Sequence, residues 1–161
     1  MSVVKHLKTS LLAFVLLIFS YQSMAKFIAL KEFGANPGEL QGSYYSPDID
    51  VTNNDSVPLV VLLHGCAQNA EILALQSGFL GLAKQHGFAL LLPQQALTNN
   101  IKQCFNWYSA EDFTKDSGET LSLKNMITTA KQILESRHVY IVGLSAGGAM
   151  ASSLLVNYPD L

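Results

Sequence analysis

Ser145 sits in Gly143-Leu144-Ser145-Ala146-Gly147, a Gly-x-Ser-x-Gly pattern. The apolar run Val139-Tyr140-Ile141-Val142 leads into it, and the small residues Gly148-Ala149-Met150-Ala151 follow. A serine at a sharp strand-to-helix turn presents its hydroxyl at the top of a sheet, where it can attack a carbonyl carbon and carry the acyl group covalently. The flanking glycines have a steric reason, since a side chain there would collide with the neighbouring strand and helix. Alone the pattern is weak, because three fixed positions recur by chance in roughly one chain in twenty of this length. The apolar strand before it and the helical segment after it supply the context that confirms such a match.

A second feature is independent of the first. His64-Gly65-Cys66-Ala67-Gln68-Asn69 follows the apolar run Val57-Pro58-Leu59-Val60-Val61-Leu62-Leu63. In hydrolases built on a nucleophile elbow, the loop after such a strand gives one backbone N–H to the oxyanion, and the residue after the nucleophile, here Ala146, gives the other. His64 on its own reads as a satisfied core histidine; beside the elbow it reads, with Gly65, as part of the oxyanion loop.

The general base is harder to find. In this architecture the acid and the histidine follow the serine, yet only Asp160 follows Ser145 before Leu161, and no histidine does. His86 reads as a surface imidazole at a helix C-terminus, favoured there by the helix dipole. His138 precedes the strand Val139–Val142 and so lies at its far end from Ser145. Glu111, Asp112 and Asp116 read as solvated loop charges. The expectation is a serine hydrolase whose catalytic Asp and His are missing from this sequence, leaving a chain that is inactive by itself.

The elements that must hold these residues alternate in type. Phe27–Leu30 and Leu40–Tyr45 read as two early strands, and Asp48–Ser56 as a polar loop. Val57–Leu63 and Phe88–Leu92 are continuous apolar runs, the mark of strands buried on both faces. Between them one helix is expected from about Glu71 to Gln85, with Gly87 as its C-terminal glycine. Gln94 to Gly118 has little periodicity and reads as a long active-site loop. Leu123, Met126, Ile127, Ala130, Ile133 and Leu134 then recur at the spacing of one helix face. Alternating strands and helices imply an α/β fold with a mostly parallel sheet covered on both faces.

Composition narrows the rest. The 161 residues are 49% hydrophobic and 14% charged, with a net charge of −2, which argues for a folded domain and against a nucleic-acid partner, for which a basic face is required. Lys5 and Lys8, then Leu11–Phe19, then Ser23-Met24-Ala25 have the layout of a signal peptide ending at residue 25. The apolar run is too short for the roughly 20 residues of a membrane span. A secreted or periplasmic mature domain, 26–161, is expected, with no membrane attachment after cleavage. In an oxidising compartment Cys66 and Cys104 can form a disulfide, and two buried thiols remain the alternative. Metal-ligand spacing is absent, and no metal or cofactor is expected.

Four ordered blocks carry a family resemblance: Pro58 to Cys66, His86 to Pro93, Cys104-Phe105-Asn106-Trp107, and Val139 to Ala151. Together they resemble the poly(3-hydroxybutyrate) depolymerase family of secreted α/β-hydrolases, which is similar to feruloyl and acetylxylan esterases. The resemblance runs from about Leu40 to Leu161. It implies Ser145 as nucleophile, the N–H groups of Cys66 and Ala146 as oxyanion donors, and Asn106 and Trp107 on the substrate groove. It also places Cys104 near Cys66, so a disulfide between them is predicted. The implied substrate is an ester, either a polyhydroxyalkanoate or an acylated polysaccharide. Family members continue past a Tyr-Pro-Asp-Leu-like segment into strands that carry the Asp and His. Two other readings are a truncated gene product and a non-catalytic secreted binding module that keeps the groove.

Overall fold

A computed structural model describes residues 27–48 and 56–161. The expected signal peptide and most of the polar loop after Asp48 lie outside the described residues. Five strands form one sheet: β1 (Ile28–Ala29), β2 (Gln41–Tyr45), β3 (Leu59–Leu63), β4 (Ala89–Gln94) and β5 (Val139–Gly143), in the order β1-β2-β4-β3-β5. β3, β4 and β5 run parallel, while β2 runs antiparallel to β4 and β1 antiparallel to β2. The C-terminal ends of the three parallel strands therefore share one edge of the sheet. Ligand sites of open α/β sheets form at that edge.

Helices cover both faces. They are α1 (Ala70–Gln76), α2 (Phe79–His86), α3 (Ala110–Phe113), α4 (Gly118–Ile133) and α5 (Ala146–Asn157). Strand side chains alternate between the faces with a period of two. Leu59, Val61, Leu63, Ala89 and Leu91 pack with Leu123, Met126, Ile127 and Ala130 of α4 and Met150 and Leu154 of α5. Val60, Leu62, Leu90 and Leu92 pack on the other face with Ala70, Ala74, Leu80 and Ala83 of α1 and α2. All five residues of β3 are buried, as its unbroken apolar run requires.

Three expectations are adjusted. The single helix expected over Glu71–Gln85 is two helices, broken where Ser77 Oγ donates to the Leu73 carbonyl (2.6 Å) and Gly78 takes a left-handed φ of 82°. Only glycine adopts that conformation at little cost, and Gly87 ends α2 in the same way. The long loop contains the single-turn helix α3. α4 begins at Gly118, earlier than its apolar face suggests, so its first turn buries Glu119 and Thr120, whereas Ile133 at its last turn is exposed. At the sheet edge β5 is only half covered: Tyr140 is 58% exposed and Val142 37%.

Candidate active site

β5 delivers Ser145 to the C-terminal edge of the sheet, and α5 starts at the next residue. Ser145 is exposed, with φ 54° and ψ −117°. For a side-chain-bearing residue this backbone conformation costs on the order of 1–3 kcal/mol and persists only where its surroundings enforce it. Those surroundings are close. Leu144 N–H donates to the Leu63 carbonyl (3.0 Å), and Gly147 N–H to the Leu144 carbonyl (2.9 Å). A Cβ on Gly147 would lie 2.6 Å from the His64 carbonyl oxygen, and one on Gly143 would lie 2.6 Å from Gly148 N. Both glycines of the pattern are therefore fixed by contact, with α5 pressed against the end of β3.

The loop after β3 packs directly on the elbow. A Cβ on Gly65 would stand 3.4 Å from Ser145 Cβ and 3.3 Å from the Leu144 carbonyl oxygen. Gly65 N–H donates to Gln68 Oε1 (2.7 Å), and Ala67, at φ 56°, donates its N–H to the Lys102 carbonyl (2.8 Å). Ala146 is the first residue of α5, where an N–H has no intrahelical partner. Among the described residues neither the Cys66 N–H nor the Ala146 N–H has an acceptor.

His64 is enclosed. It has no exposed surface, and its ring lies 4.8 Å from that of Phe105. Nδ1 sits 2.7 Å from the Gly65 carbonyl oxygen and so carries the proton, while Nε2 accepts the Gln95 N–H at 3.0 Å. Both nitrogens are committed. Burial pushes its pKa below the usual imidazole range, against the opposing pull of the Gly65 carbonyl. The ring is a neutral brace, with no lone pair to offer Ser145. His86 and His138 are exposed, and His138 lies at the opposite end of β5 from Ser145. Asp160 is exposed beyond α5. Asp116 pairs with Lys124 at 3.4 Å, and Asp112 Oδ1 accepts the Glu119 N–H at 3.2 Å.

Residues 95–109 come to the same edge, joined to the loop after β3 by a Cys66–Cys104 disulfide whose Cα atoms are 4.1 Å apart. Asn106 is buried; its Oδ1 accepts from Asn100 Nδ2 (2.7 Å) and its N–H donates to Glu119 Oε2 (2.8 Å). Trp107 is half exposed and meets Tyr108 edge to face, with centroids 5.8 Å apart. Sequence reasoning missed Glu119 and Gln95. The one available signal for Gln95 is its place just past the end of β4, where site residues of such sheets collect. Among the described residues no group of three or more His, Cys, Asp or Glu is gathered as a metal site would need.

Residues 42–161 match the family described as Esterase PHB depolymerase. The chain belongs to this family. Among the family's relatives, the poly(3-hydroxyalkanoate) depolymerase C of Paucimonas lemoignei is 38% identical over 91% of this chain and 35% of its own length. Feruloyl esterase B of Thermothelomyces thermophilus is 32% identical over 81% of this chain and 44% of its own. The chain thus spans less than half the length of these two relatives. The acetyl xylan esterase from Aspergillus awamori superposes with a TM-score of 0.73 and 25% identity, over 84% of this chain and 48% of that one. The poly(3-hydroxybutyrate) depolymerase from Bordetella parapertussis shares the fold at a TM-score of 0.58 and 16% identity, again over 84% and 48%.

Proposed function

We propose that this chain is the nucleophile-bearing part of an exported serine carboxylic-ester hydrolase of the polyhydroxybutyrate depolymerase type. The observation that carries the reading is Ser145, exposed at φ 54° between β5 and α5 and packed against Gly65. In the mechanism, Ser145 Oγ attacks the ester carbonyl carbon and its proton passes to a base. The tetrahedral oxyanion accepts from the Cys66 and Ala146 N–H groups, the alcohol leaves, and water later releases the acyl group from Ser145. Export is supported by the Lys5–Ala25 pattern and by the disulfide. Among the described residues no membrane-length apolar helix occurs.

None of the described histidines serves as the base, because His64 has no free nitrogen and His86 and His138 are remote; the family resemblance implies a histidine on a later strand in that role. Without that base Ser145 is a poor nucleophile. The chain by itself should hydrolyse p-nitrophenyl butyrate barely above background. Joined to the C-terminal segment of a full-length relative, it should gain turnover that Ser145→Ala abolishes. Robust turnover by the unextended chain, lost in His64→Ala, would overturn this account. One observation favours a second reading, a non-catalytic module that binds polymer: the exposed Trp107–Tyr108 pair offers an aromatic ledge whether or not Ser145 reacts. Binding to polyhydroxybutyrate granules unchanged by Ser145→Ala, with no turnover in the extended protein, would favour it.

A further inference from the structure

Glu119 is the only buried carboxylate among the described residues, and it has no exposed surface. Its Oε1 accepts from Gln95 Nε2 (2.6 Å) and Asn99 Nδ2 (3.3 Å), and its Oε2 accepts the Asn106 N–H (2.8 Å). Lys124–Asp116 is the only ion pair among the described residues, so no cation neutralises Glu119. Burial pushes its pKa up to about 7; the Asn106 and Gln95 donors pull it down, and nearby Asp112 adds to the rise. A buried carboxylate without a counter-charge lowers stability. At a helix first turn facing a core, an apolar residue or an amide would avoid that penalty. What a carboxylate alone provides is two acceptor oxygens facing separate donors with no N–H of its own.

The donors belong to the two segments that frame Ser145. Gln95 N–H donates to His64 Nε2, whose Nδ1 holds the Gly65 carbonyl, and Gln95 Nε2 also donates to the Cys104 carbonyl (3.0 Å). Asn106 precedes Trp107, and its Oδ1 also accepts from Tyr108 Oη (3.4 Å). A chain of hydrogen bonds therefore runs from Gly65 through His64, Gln95 and Glu119 to Asn106 and Tyr108, and Trp107 meets Tyr108 edge to face. We propose that Glu119 is a positioning residue that holds the Trp107–Tyr108 ledge at a fixed distance from the oxyanion loop, and so sets where an ester chain lies relative to Ser145. The proposal rests on the ester-hydrolase reading for its purpose, but its test reads the ledge and not turnover.

Glu119→Gln preserves size and replaces one oxygen by an N–H. With the amide oxygen toward Gln95, the new N–H faces the Asn106 N–H; turned round, it faces the Gln95 and Asn99 amides. One donor set loses its acceptor in either orientation. Trp107 is the sole tryptophan, so its fluorescence reports the ledge without ambiguity. The expected result at pH 8 is stronger acrylamide quenching of Trp107, loss of its near-UV dichroism and faster exchange of the Asn106 amide. The thermal midpoint should not fall, because a buried charge has been removed. Unchanged quenching and exchange would overturn the proposal, and so would a lower midpoint with uniformly faster exchange along α4, the signature of a merely structural role. The unsubstituted protein gives a second test that needs no variant: the Asn106 amide must be protected from hydrogen exchange although it lies in irregular chain, and rapid exchange there refutes the proposal. Absence of ester turnover in the extended protein would refute the proposed function and leave these readouts standing.

Discussion

Removing the Cys66–Cys104 bridge should destabilise the protein by about 4 kcal/mol, almost wholly through its unfolded state. The two cysteines are separated by 38 residues, and closing a loop of that length removes about 4 kcal/mol of chain entropy from the unfolded ensemble at 25 °C. The folded state has other ties across the same gap. Ala67 N–H donates to the Lys102 carbonyl (2.8 Å) and Gln95 Nε2 to the Cys104 carbonyl (3.0 Å). The loop should therefore stay in place without the bridge, and the loss should fall on the freed unfolded chain. The variant is the double substitution Cys66→Ser, Cys104→Ser, and the assay is urea unfolding followed by far-UV dichroism under non-reducing conditions. With a urea slope of about 2 kcal/mol/M for a domain of this size, the midpoint should drop by about 2 M. The slope itself should rise, because the uncrosslinked chain exposes more surface. A drop below about 0.5 M would refute the entropy argument. Two alkylatable thiols in the unreduced protein would refute the bridge itself.

Two further outcomes are expected. Glu119 has a folded-state pKa of about 7 against an ordinary value of 4.5, so the folded state binds its proton more tightly than the unfolded chain does. The stability this lends is present below pH 4.5 and is lost as pH rises through 7, by about 3 kcal/mol; urea midpoints measured from pH 4 to 8 should show that fall relative to a flatter Glu119→Gln profile, and parallel profiles would refute it. Tyr140→Lys on the exposed face of edge strand β5 should reduce concentration-dependent association in sedimentation velocity, because a charge blunts strand pairing. Its effect on stability should stay within about 0.5 kcal/mol, and unchanged association would remove the edge argument.

Much of this molecule can be read from residue order, and the exceptions have physical causes. β3 and β4 are legible because strands buried on both faces leave unbroken apolar runs. The elbow is legible because backbone contact excludes a Cβ at Gly143 and Gly147. The break between α1 and α2 is not, since Gly78 falls inside an otherwise helical pattern and a lone glycine is tolerated there. Glu119 is invisible for a different reason: a glutamate in a helix first turn is ordinarily a solvated charge favoured by the dipole. Long-range docking of residues 95–106 and of Gly38 buries it. β5 pairs with β3 on one side and has no neighbour on the other among the described residues; its alternate side chains Tyr140 and Val142 share the sheet face of Val60 and Leu62 and are exposed there, whereas Val139 and Ile141 pack against the opposite core.

The strand order carries a consequence for how the protein acquires its shape. β3 lies between β4 and β5, so Leu59 pairs with Val139 across most of the described chain, and such distant pairings slow folding. The β3–β4 pair, with α1 and α2, is assembled from an earlier and more local stretch. Cys66 and Cys104 both fall after β3 and before β5. Oxidation can therefore follow the first unit and precede the docking of β5, and it cuts the chain path between β3 and β5 roughly in half, which lowers the loop-closure term by about 0.6 kcal/mol. On this ordering the serine turn forms last. Reductant added during refolding should then delay the arrival of β5 while leaving the parallel β3–β4 pair and its helical crossover largely untouched.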